Sequence, residues 1–145
     1  MSFFVLILKF VFVNSAIAEV VGDCSTPYSA VHTLLDRQNN KDTLSSALCM
    51  SGFDETLGGD QKAVQVAIQL KELLDSKGLH VDMNAMSKDE KYLDPNKKTH
   101  QAIIHPGLKS VYVTLDGDKW VFNQAVQKTI ETKYLNSSSP MARNI

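Results

Sequence analysis

The chain has 145 residues, of which 43% are hydrophobic and 21% are charged, and its formal net charge is −1. This length suits one domain with a single hydrophobic core rather than two domains. A chain this close to neutral lacks the basic field that nucleic-acid binding requires, so its composition argues against DNA or RNA as a partner.

The first eighteen residues have the composition of a secretory signal peptide. An apolar run over Phe3–Val13 is interrupted only by Lys9 and is followed by small residues that end at Ala18. This run is too short for a membrane span, which takes about 20 residues, whereas its small-residue ending is typical of a cleavage site. An uncleaved N-terminal anchor is the alternative. The predicted organisation is a signal peptide over 1–18, one domain over 19–135, and a linker or tail over 136–145.

Two cysteines flank a predicted helical hairpin. Thr26-Pro27 is a helix start signal, and the apolar residues after it predict a helix to about Gln38. A short second helix is predicted to end near Cys49. If the two helices are antiparallel, Cys24 and Cys49 meet, and cysteines of an exported chain usually pair. We therefore predict a disulfide between them, with two buried thiols as the alternative.

A long central helix and a polar segment follow. Asp60, after Gly58-Gly59, is the predicted cap of the longest helix, which runs to about Lys77 and has Gly78 at its C′ position. Ser87–Thr99 is polar and contains turn-forming residues, so it is predicted to be a solvated loop. A binding loop is the alternative for this segment.

The C-terminal part contains a predicted β-hairpin. Asp116-Gly117 has the residue types of a type I′ turn. With these two residues as the loop, Val113 lies opposite Trp120 and Val111 lies opposite Phe122. Both pairs then share one face of the hairpin, which is predicted to face the core.

These elements together predict an α+β fold. An N-terminal helical hairpin and a long central helix pack on a small antiparallel sheet, which is followed by a C-terminal helix. A strand over Gln101–His105 adds to the hairpin, and Asn123 caps the closing helix. The predicted structural core consists of Leu34, Leu35, Leu70, Leu73, Leu74, Val111, Val113, Trp120, Phe122, Ile130 and Tyr134.

No motif in the sequence indicates catalysis. The histidines at positions 32, 80, 100 and 105 belong to no HExxH motif or Cys/His array, and they are predicted to be surface or capping residues. Neither a nucleophile elbow nor a phosphate-binding loop is present. We therefore predict a protein that is not an enzyme, with no catalytic, cofactor-binding or metal-binding residues.

Three structural motifs carry a family resemblance. They are the opening Cys24-Ser25-Thr26-Pro27, the helix end Leu70-Lys71-Glu72-Leu73-Leu74-Asp75, and the strand Lys119-Trp120-Val121-Phe122 with its following helix to Tyr134. Their order resembles the soluble N-terminal extracytoplasmic domain of some bacterial proteins of the small-conductance mechanosensitive channel family. The resemblance spans residues 24–134. The membrane helices and pore helix of that family have no counterpart in it, which implies a piece of a longer channel or a stand-alone relative.

The resemblance implies a non-catalytic periplasmic accessory domain, exported to the bacterial envelope, that assists assembly or contacts envelope components. The implied partners are the membrane channel portion of the same or a related polypeptide and further copies of the chain in a homo-oligomer, with no cofactor. Ser87–Thr99 is the expected working surface.

Two alternatives stay open. The helix-first order and the hairpin Gly117-Asp118-Lys119-Trp120 also look like the nuclear-transport-factor-like fold. That resemblance implies small-molecule binding, or lyase or isomerase chemistry, in a cavity behind Trp120. The other alternative is a secreted adaptor with no channel attached.

Overall fold

The computed structural model describes residues 19–54 and 61–137. Within these ranges the chain forms four α-helices and a three-stranded antiparallel sheet, which confirms the predicted α+β class. The helices are α1 (Pro27–Asn39), α2 (Thr43–Ser46), α3 (Gln61–Ser76) and α4 (Gln124–Ser137), and the strands are β1 (Gln101–Ile103), β2 (Tyr112–Asp116) and β3 (Lys119–Val121). The predicted signal peptide, the predicted Asp60 cap and the tail after Ser137 lie outside the described residues.

The N-terminal helical hairpin is closed by a disulfide. The side chain of Thr26 accepts a hydrogen bond from the backbone N–H of Ser29, and the side chain of Ser29 accepts one from the N–H of Thr26, so the predicted start of α1 is confirmed as a capping box. Cys24 and Cys49 are bonded, with their Cα atoms 5.7 Å apart. The predicted pairing is therefore confirmed, and the alternative of two free thiols is wrong.

The turn of the β-hairpin lies one residue further along the chain than predicted. Asp116 pairs with Lys119, so the two loop residues are Gly117 and Asp118. The predicted loop Asp116-Gly117 is therefore wrong. Gly117 has a φ of 66°, whereas Asp118 is not among the residues with positive φ. Glycine at the first loop position is the requirement of a type II′ turn rather than of type I′.

This change of register leaves the core face of the hairpin unchanged. Trp120 lies opposite Leu115 rather than Val113, which is a shift of two residues. Because strand side chains alternate with a period of two, a shift of two keeps each side chain on its original face. Val111, Val113, Trp120 and Phe122 are all buried, as predicted.

The N-terminal hairpin covers the outer edge of β3. The N–H of Trp120 donates to the carbonyl of Cys24 at 2.6 Å, and the N–H of Phe122 donates to the carbonyl of Cys49 at 2.9 Å. The carbonyl of Phe122 in turn accepts from the N–H of Ser51 at 2.9 Å. The two bonded cysteines therefore belong to the segments that pair with this edge of the sheet.

Nine of the eleven predicted core residues are buried; they are Leu34, Leu70, Leu73, Leu74, Val111, Val113, Trp120, Phe122 and Ile130. The other two, Leu35 and Tyr134, are half-buried. Leu35 packs against the core from its margin. The hydroxyl of Tyr134 reaches the surface carboxylate of Glu72, at 3.3 Å, because the last turns of α4 extend past the core.

The closing helix has the predicted start and a later end. The side-chain oxygen of Asn123 accepts from the N–H of Val126 at 2.9 Å, which confirms the predicted cap. α4 continues to Ser137, so Asn136 and Ser137 belong to the helix rather than to the predicted linker.

A buried glutamine hydrogen-bonds α4 to the segments that meet at the outer edge of β3. The side-chain Nε2 of Gln127 donates to the carbonyls of Ser51 and Phe122, at 2.9 and 2.8 Å. Gln127 is 2% exposed. Gln124, one turn earlier and exposed, also donates to the Ser51 carbonyl, at 2.9 Å.

Candidate functional site

The polar loop, residues Ser87–Thr99, is fixed to the fold through its backbone. Three of its carbonyl groups meet donors from other segments of the chain. The contacts are Tyr28 N to Ser87 O at 2.9 Å, Trp120 Nε1 to Glu90 O at 3.0 Å, and His100 Nδ1 to Tyr92 O at 2.9 Å. The Nδ1-protonated tautomer of His100 donates in the last of these. The loop is therefore attached to the rest of the fold through three main-chain oxygens.

The middle of the loop covers the core tryptophan. The ring of Tyr92 lies 6.4 Å from the ring of Trp120, and the ring of His100 lies at the same distance on an edge-on approach. A buried indole N–H requires an acceptor, and here the Glu90 carbonyl provides it. A buried tryptophan needs such an acceptor, and this need is the signal in the sequence from which a segment covering Trp120 could have been predicted.

A second contact holds the start of the loop against α1. The Nζ of Lys88 lies 4.6 Å from the centroid of the Tyr28 ring, within the range of a cation–π interaction. The Tyr28 ring also stacks against the ring of His32, with centroids 5.6 Å apart. Tyr28 and His32 are four residues apart on α1, a spacing at which helical side chains meet, whereas the contact with Lys88 joins distant parts of the chain and has no local signal.

Asp94 organises the predicted turn near the end of the loop. Its Oδ1 accepts from the backbone N–H groups of Asn96 and Lys97, at 2.8 Å each. Its own N–H donates to the carbonyl of Thr99, and its carbonyl accepts from the N–H of Lys98, both at 2.8 Å. The bonds from Lys97 and Asn96 stabilise the carboxylate and hold the pKa of Asp94 below its ordinary value.

Most of the charged residues of the polar loop are exposed, whereas Asp94 is half-buried. Lys88, Asp89, Glu90 and Lys91 are all exposed. Leu93 is 49% exposed, which makes it one of the few large hydrophobic side chains on the described surface. The loop is solvated, as predicted. Its backbone is also hydrogen-bonded to other segments of the fold, which was not predicted.

A cleft of about 420 Å³ separates the polar loop from β1. One wall is the segment after α3, the second is the loop, and the third is β1 with the turn that follows it. The lining residues are His80, Asp82, Ala85, Met86 and Ser87; Tyr92 and Asp94; and Ala102, Ile103, Ile104, His105 and Pro106. Two carboxylates and no lysine or arginine line the cleft, so it carries a negative charge when its histidines are neutral. We refer to it as the β1 cleft.

The histidines do not form one cluster. His80 and His105 both border the β1 cleft, and the Nδ1 of His105 accepts from the N–H of Gly107 at 2.8 Å, so His105 is a cap as predicted. His32 and His100 are exposed; His32 stacks on the ring of Tyr28, and His100 approaches the ring of Trp120 edge-on. Within residues 19–54 and 61–137, no group of three or more histidine, cysteine or acidic side chains is placed to hold a metal ion.

The buried polar side chains of the described core bond to neighbouring polar groups of the chain. Thr33 donates to the carbonyl of Asp23 at 3.0 Å, and Ser46 donates to that of Thr43 at 2.6 Å. Ser45 accepts from the N–H of Val21 at 2.9 Å. With Gln127, these are the buried polar residues of the described core. Their partners are backbone groups of the N-terminal segment, of α2 and of the segments that meet at the edge of β3.

The disulfide indicates an oxidising compartment outside the cytoplasm. None of the helices in the described ranges combines the length and apolar character that crossing a membrane requires. Comparison of the chain with protein-family models, curated proteins and solved structures finds no match, so the channel-family resemblance stands on its sequence motifs alone.

Proposed function

We propose that the protein is a non-catalytic extracytoplasmic accessory domain that contacts another component of the cell envelope through the polar loop. The observation that carries the proposal is the combination of a fixed backbone with exposed side chains. Three backbone carbonyls of the loop accept from donors in α1, in β3 and in the residue before β1, whereas the four charged residues Lys88–Lys91 are exposed. A surface that is ordered before binding loses little conformational entropy on binding.

The proposed location is the periplasm of a bacterium, reached through the signal peptide predicted over residues 1–18. The Cys24–Cys49 disulfide supports a compartment in which thiols are oxidised. The motif order from Cys24 to Tyr134 supports a domain of the mechanosensitive-channel type. In this proposal the domain assists assembly of the membrane part or contacts its surroundings.

The interior supports a binding role over an enzymatic one. The largest fully buried side chain, Trp120, is covered by the polar loop and bonds to a backbone carbonyl. The buried polar residues of the described core hold backbone groups in place. This arrangement does not favour the alternative of a small-molecule or lyase site behind Trp120.

Photo-cross-linking in the native envelope tests the proposal. A photoreactive amino acid is introduced at Leu93 in the loop and, as the matched control, at Leu135 on α4, which is 64% exposed. We expect the Leu93 variant to form a specific cross-link to a membrane protein, identified by mass spectrometry, and the Leu135 variant to form none. Equal products from both positions, or none from Leu93, would contradict the loop as the contact surface.

The channel component of the proposal has a separate test. The encoding DNA is read beyond the codon for Ile145. An open frame with several apolar spans of about 20 residues, followed by a glycine- and alanine-rich helix, is the expected result. A stop codon directly after Ile145 would remove the direct link to a channel and leave a free-standing domain.

A further inference from the structure

The free edge of β1 is the clearest unused binding feature of the described residues. The sheet order is β1-β2-β3, so β1 has a strand neighbour on one side only. The other edge, that of β3, is paired with the segments around Cys24 and Cys49. The described part of the sheet therefore offers backbone groups to a partner at β1.

The hydrogen-bond pattern shows which groups these are. The N–H of Leu115 donates to the carbonyl of His100, and the N–H of Ile104 donates to the carbonyl of Val111. Because bonded residues alternate along an antiparallel strand, the residues between them direct their backbone groups away from β2. The N–H and the carbonyl of Ile103 thus point outwards, and no described residue hydrogen-bonds to either.

The β1 cleft lies along this edge. Ala102 and Ile103 are adjacent in β1 and project to opposite faces of the sheet, yet both line the cleft. A cavity lined by both faces of a strand lies beside its edge rather than on one face. Its far walls, formed by the segment after α3 and by the polar loop, leave a channel next to the free backbone groups.

The negative charge of the cleft favours a positively charged ligand. Asp82 and Asp94 are its only charged residues apart from the histidines. In each, Oδ1 accepts backbone N–H bonds, from Asn84 in one case and from Asn96 and Lys97 in the other. Neither Oδ2 atom accepts a hydrogen bond from a described residue, so each can accept one from a cationic group. The positive charge of Lys97 also acts on the carboxylate of Asp94.

We propose that the β1 cleft binds an extended, lysine- or arginine-containing peptide segment of a partner protein, which pairs with Ile103 as an added strand. Backbone bonds to Ile103 supply the strand pairing, and Asp82 and Asp94 select the basic side chains. The inference deepens the proposed envelope contact, on which it rests, by naming the kind of segment recognised. β1 is three residues long, so the added strand pairs over only a few residues and exchanges rapidly.

The test measures binding of defined peptides to the full chain. The probes are fluorescein-labelled hexapeptides that alternate lysine with valine or threonine, together with counterparts that carry glutamate in place of lysine. Fluorescence anisotropy gives affinity, and amide chemical shifts locate the site. We expect the lysine peptides to bind at least about tenfold more tightly than the glutamate peptides and to shift the amide of Ile103.

Two pairs of variants separate strand pairing from general effects. Ile103→Pro removes the outward N–H without removing a bond to β2, because proline is tolerated where the N–H faces away from the sheet; Ile103→Val keeps the N–H. Asp82→Asn with Asp94→Asn removes both cleft charges and keeps the side-chain acceptors, whereas Asp36→Asn with Asp75→Asn makes the same change in net charge outside the cleft.

The expected result is a roughly tenfold or greater loss of lysine-peptide affinity in Ile103→Pro and in the cleft double variant, with the two controls unchanged. Three outcomes would overturn the inference: equal binding by Ile103→Pro and Ile103→Val, equal binding by both charge variants, or shifts that map away from β1. Shifts in residues 138–145 on peptide addition would also overturn it, by assigning the cleft to the chain's own C-terminal residues.

Failure of this test is distinguishable from failure of the proposed function. The cross-link from Leu93 and the reading of the frame beyond Ile145 do not depend on the β1 cleft. A protein that cross-links through the loop but binds no basic peptide keeps the accessory role and loses the added strand. A protein that binds the peptide at β1 but forms no loop cross-link keeps the cleft and loses the loop contact.

Discussion

Loss of the Cys24–Cys49 disulfide is expected to lower the free energy of unfolding by a large fraction of its total value. The two cysteines are 25 residues apart. The loss of chain entropy in a cross-linked unfolded chain of that loop length corresponds to roughly 3.5 kcal/mol at 25 °C. Small domains have total stabilities of about 5–15 kcal/mol. For a domain of this size the loss translates to a decrease in Tm of roughly 10–18 °C.

Urea unfolding of the oxidised and the reduced protein measures this difference. The reduced wild type keeps both sulfur atoms in the core, so it isolates the cross-link from changes in packing. Cys24→Ala with Cys49→Ala serves as a second comparison and is expected to be somewhat less stable, because both side chains are buried and their removal leaves small cavities. An increase in m on reduction is also expected, since the unfolded chain becomes less compact.

Hydrogen exchange then tests where the disulfide acts. If its effect lies in the unfolded chain, protection falls by the same free energy throughout the core. If it holds the edge of the sheet in place, the amides of Trp120 and Phe122, which donate to the carbonyls of Cys24 and Cys49, lose more protection than the rest. A difference in stability below about 1 kcal/mol between the oxidised and reduced forms would refute the loop-entropy argument.

Three further predictions concern single residues. Gln127→Ala is expected to lower the free energy of unfolding by about 2–3 kcal/mol, because it empties a buried site and removes one of the two donors at each of the Ser51 and Phe122 carbonyls. The exposed control Gln124→Ala should change it by less than about 0.5 kcal/mol, and equal effects of the two variants in urea unfolding would contradict this. Gly78→Ala and Gly117→Ala should each lower the free energy of unfolding by about 1–2 kcal/mol. Both glycines have a φ of 66° and open space around them, so the loss comes from backbone strain rather than from a clash. A gain in Tm for either variant would refute that strain. The pKa of the Asp94 carboxyl, measured by NMR titration, should lie below the ordinary aspartate range. Its contribution to the stability of the turn is then complete above about pH 4 and is lost as the pH falls through the lowered pKa. Loss of amide protection in the turn already at pH 5 would contradict this prediction.

The sequence predicted the elements of this fold well where local signals act alone. Thr26-Pro27, Asn123 and Gly78 mark helix ends through capping chemistry that depends on a few neighbouring residues. The hairpin register was predicted incorrectly for a definite reason. Shifting the partner of Val113 by two residues leaves Trp120 on the same face, so the hydrophobic pattern cannot distinguish the two registers.

The candidate site was less predictable because its contacts join distant parts of the chain. Ser87–Thr99 has the composition of a solvated loop, and nothing within it specifies the donors that Tyr28, Trp120 and His100 supply. The β1 cleft depends on the same long-range placement, since its walls come from three separate segments. Such an arrangement follows from packing rather than from local propensity.

The way the polar loop is held has a consequence for its evolution. Its hydrogen bonds to Tyr28, Trp120 and His100 are all accepted by main-chain oxygens, at Ser87, Glu90 and Tyr92, which every amino acid possesses. Substitution of the charged side chains at Glu90 or Lys91 therefore leaves those hydrogen bonds intact, whereas Asp89 also accepts a backbone bond from Lys91 within the loop. Related chains can diversify these positions, and so acquire new recognition preferences, on an unchanged main-chain path.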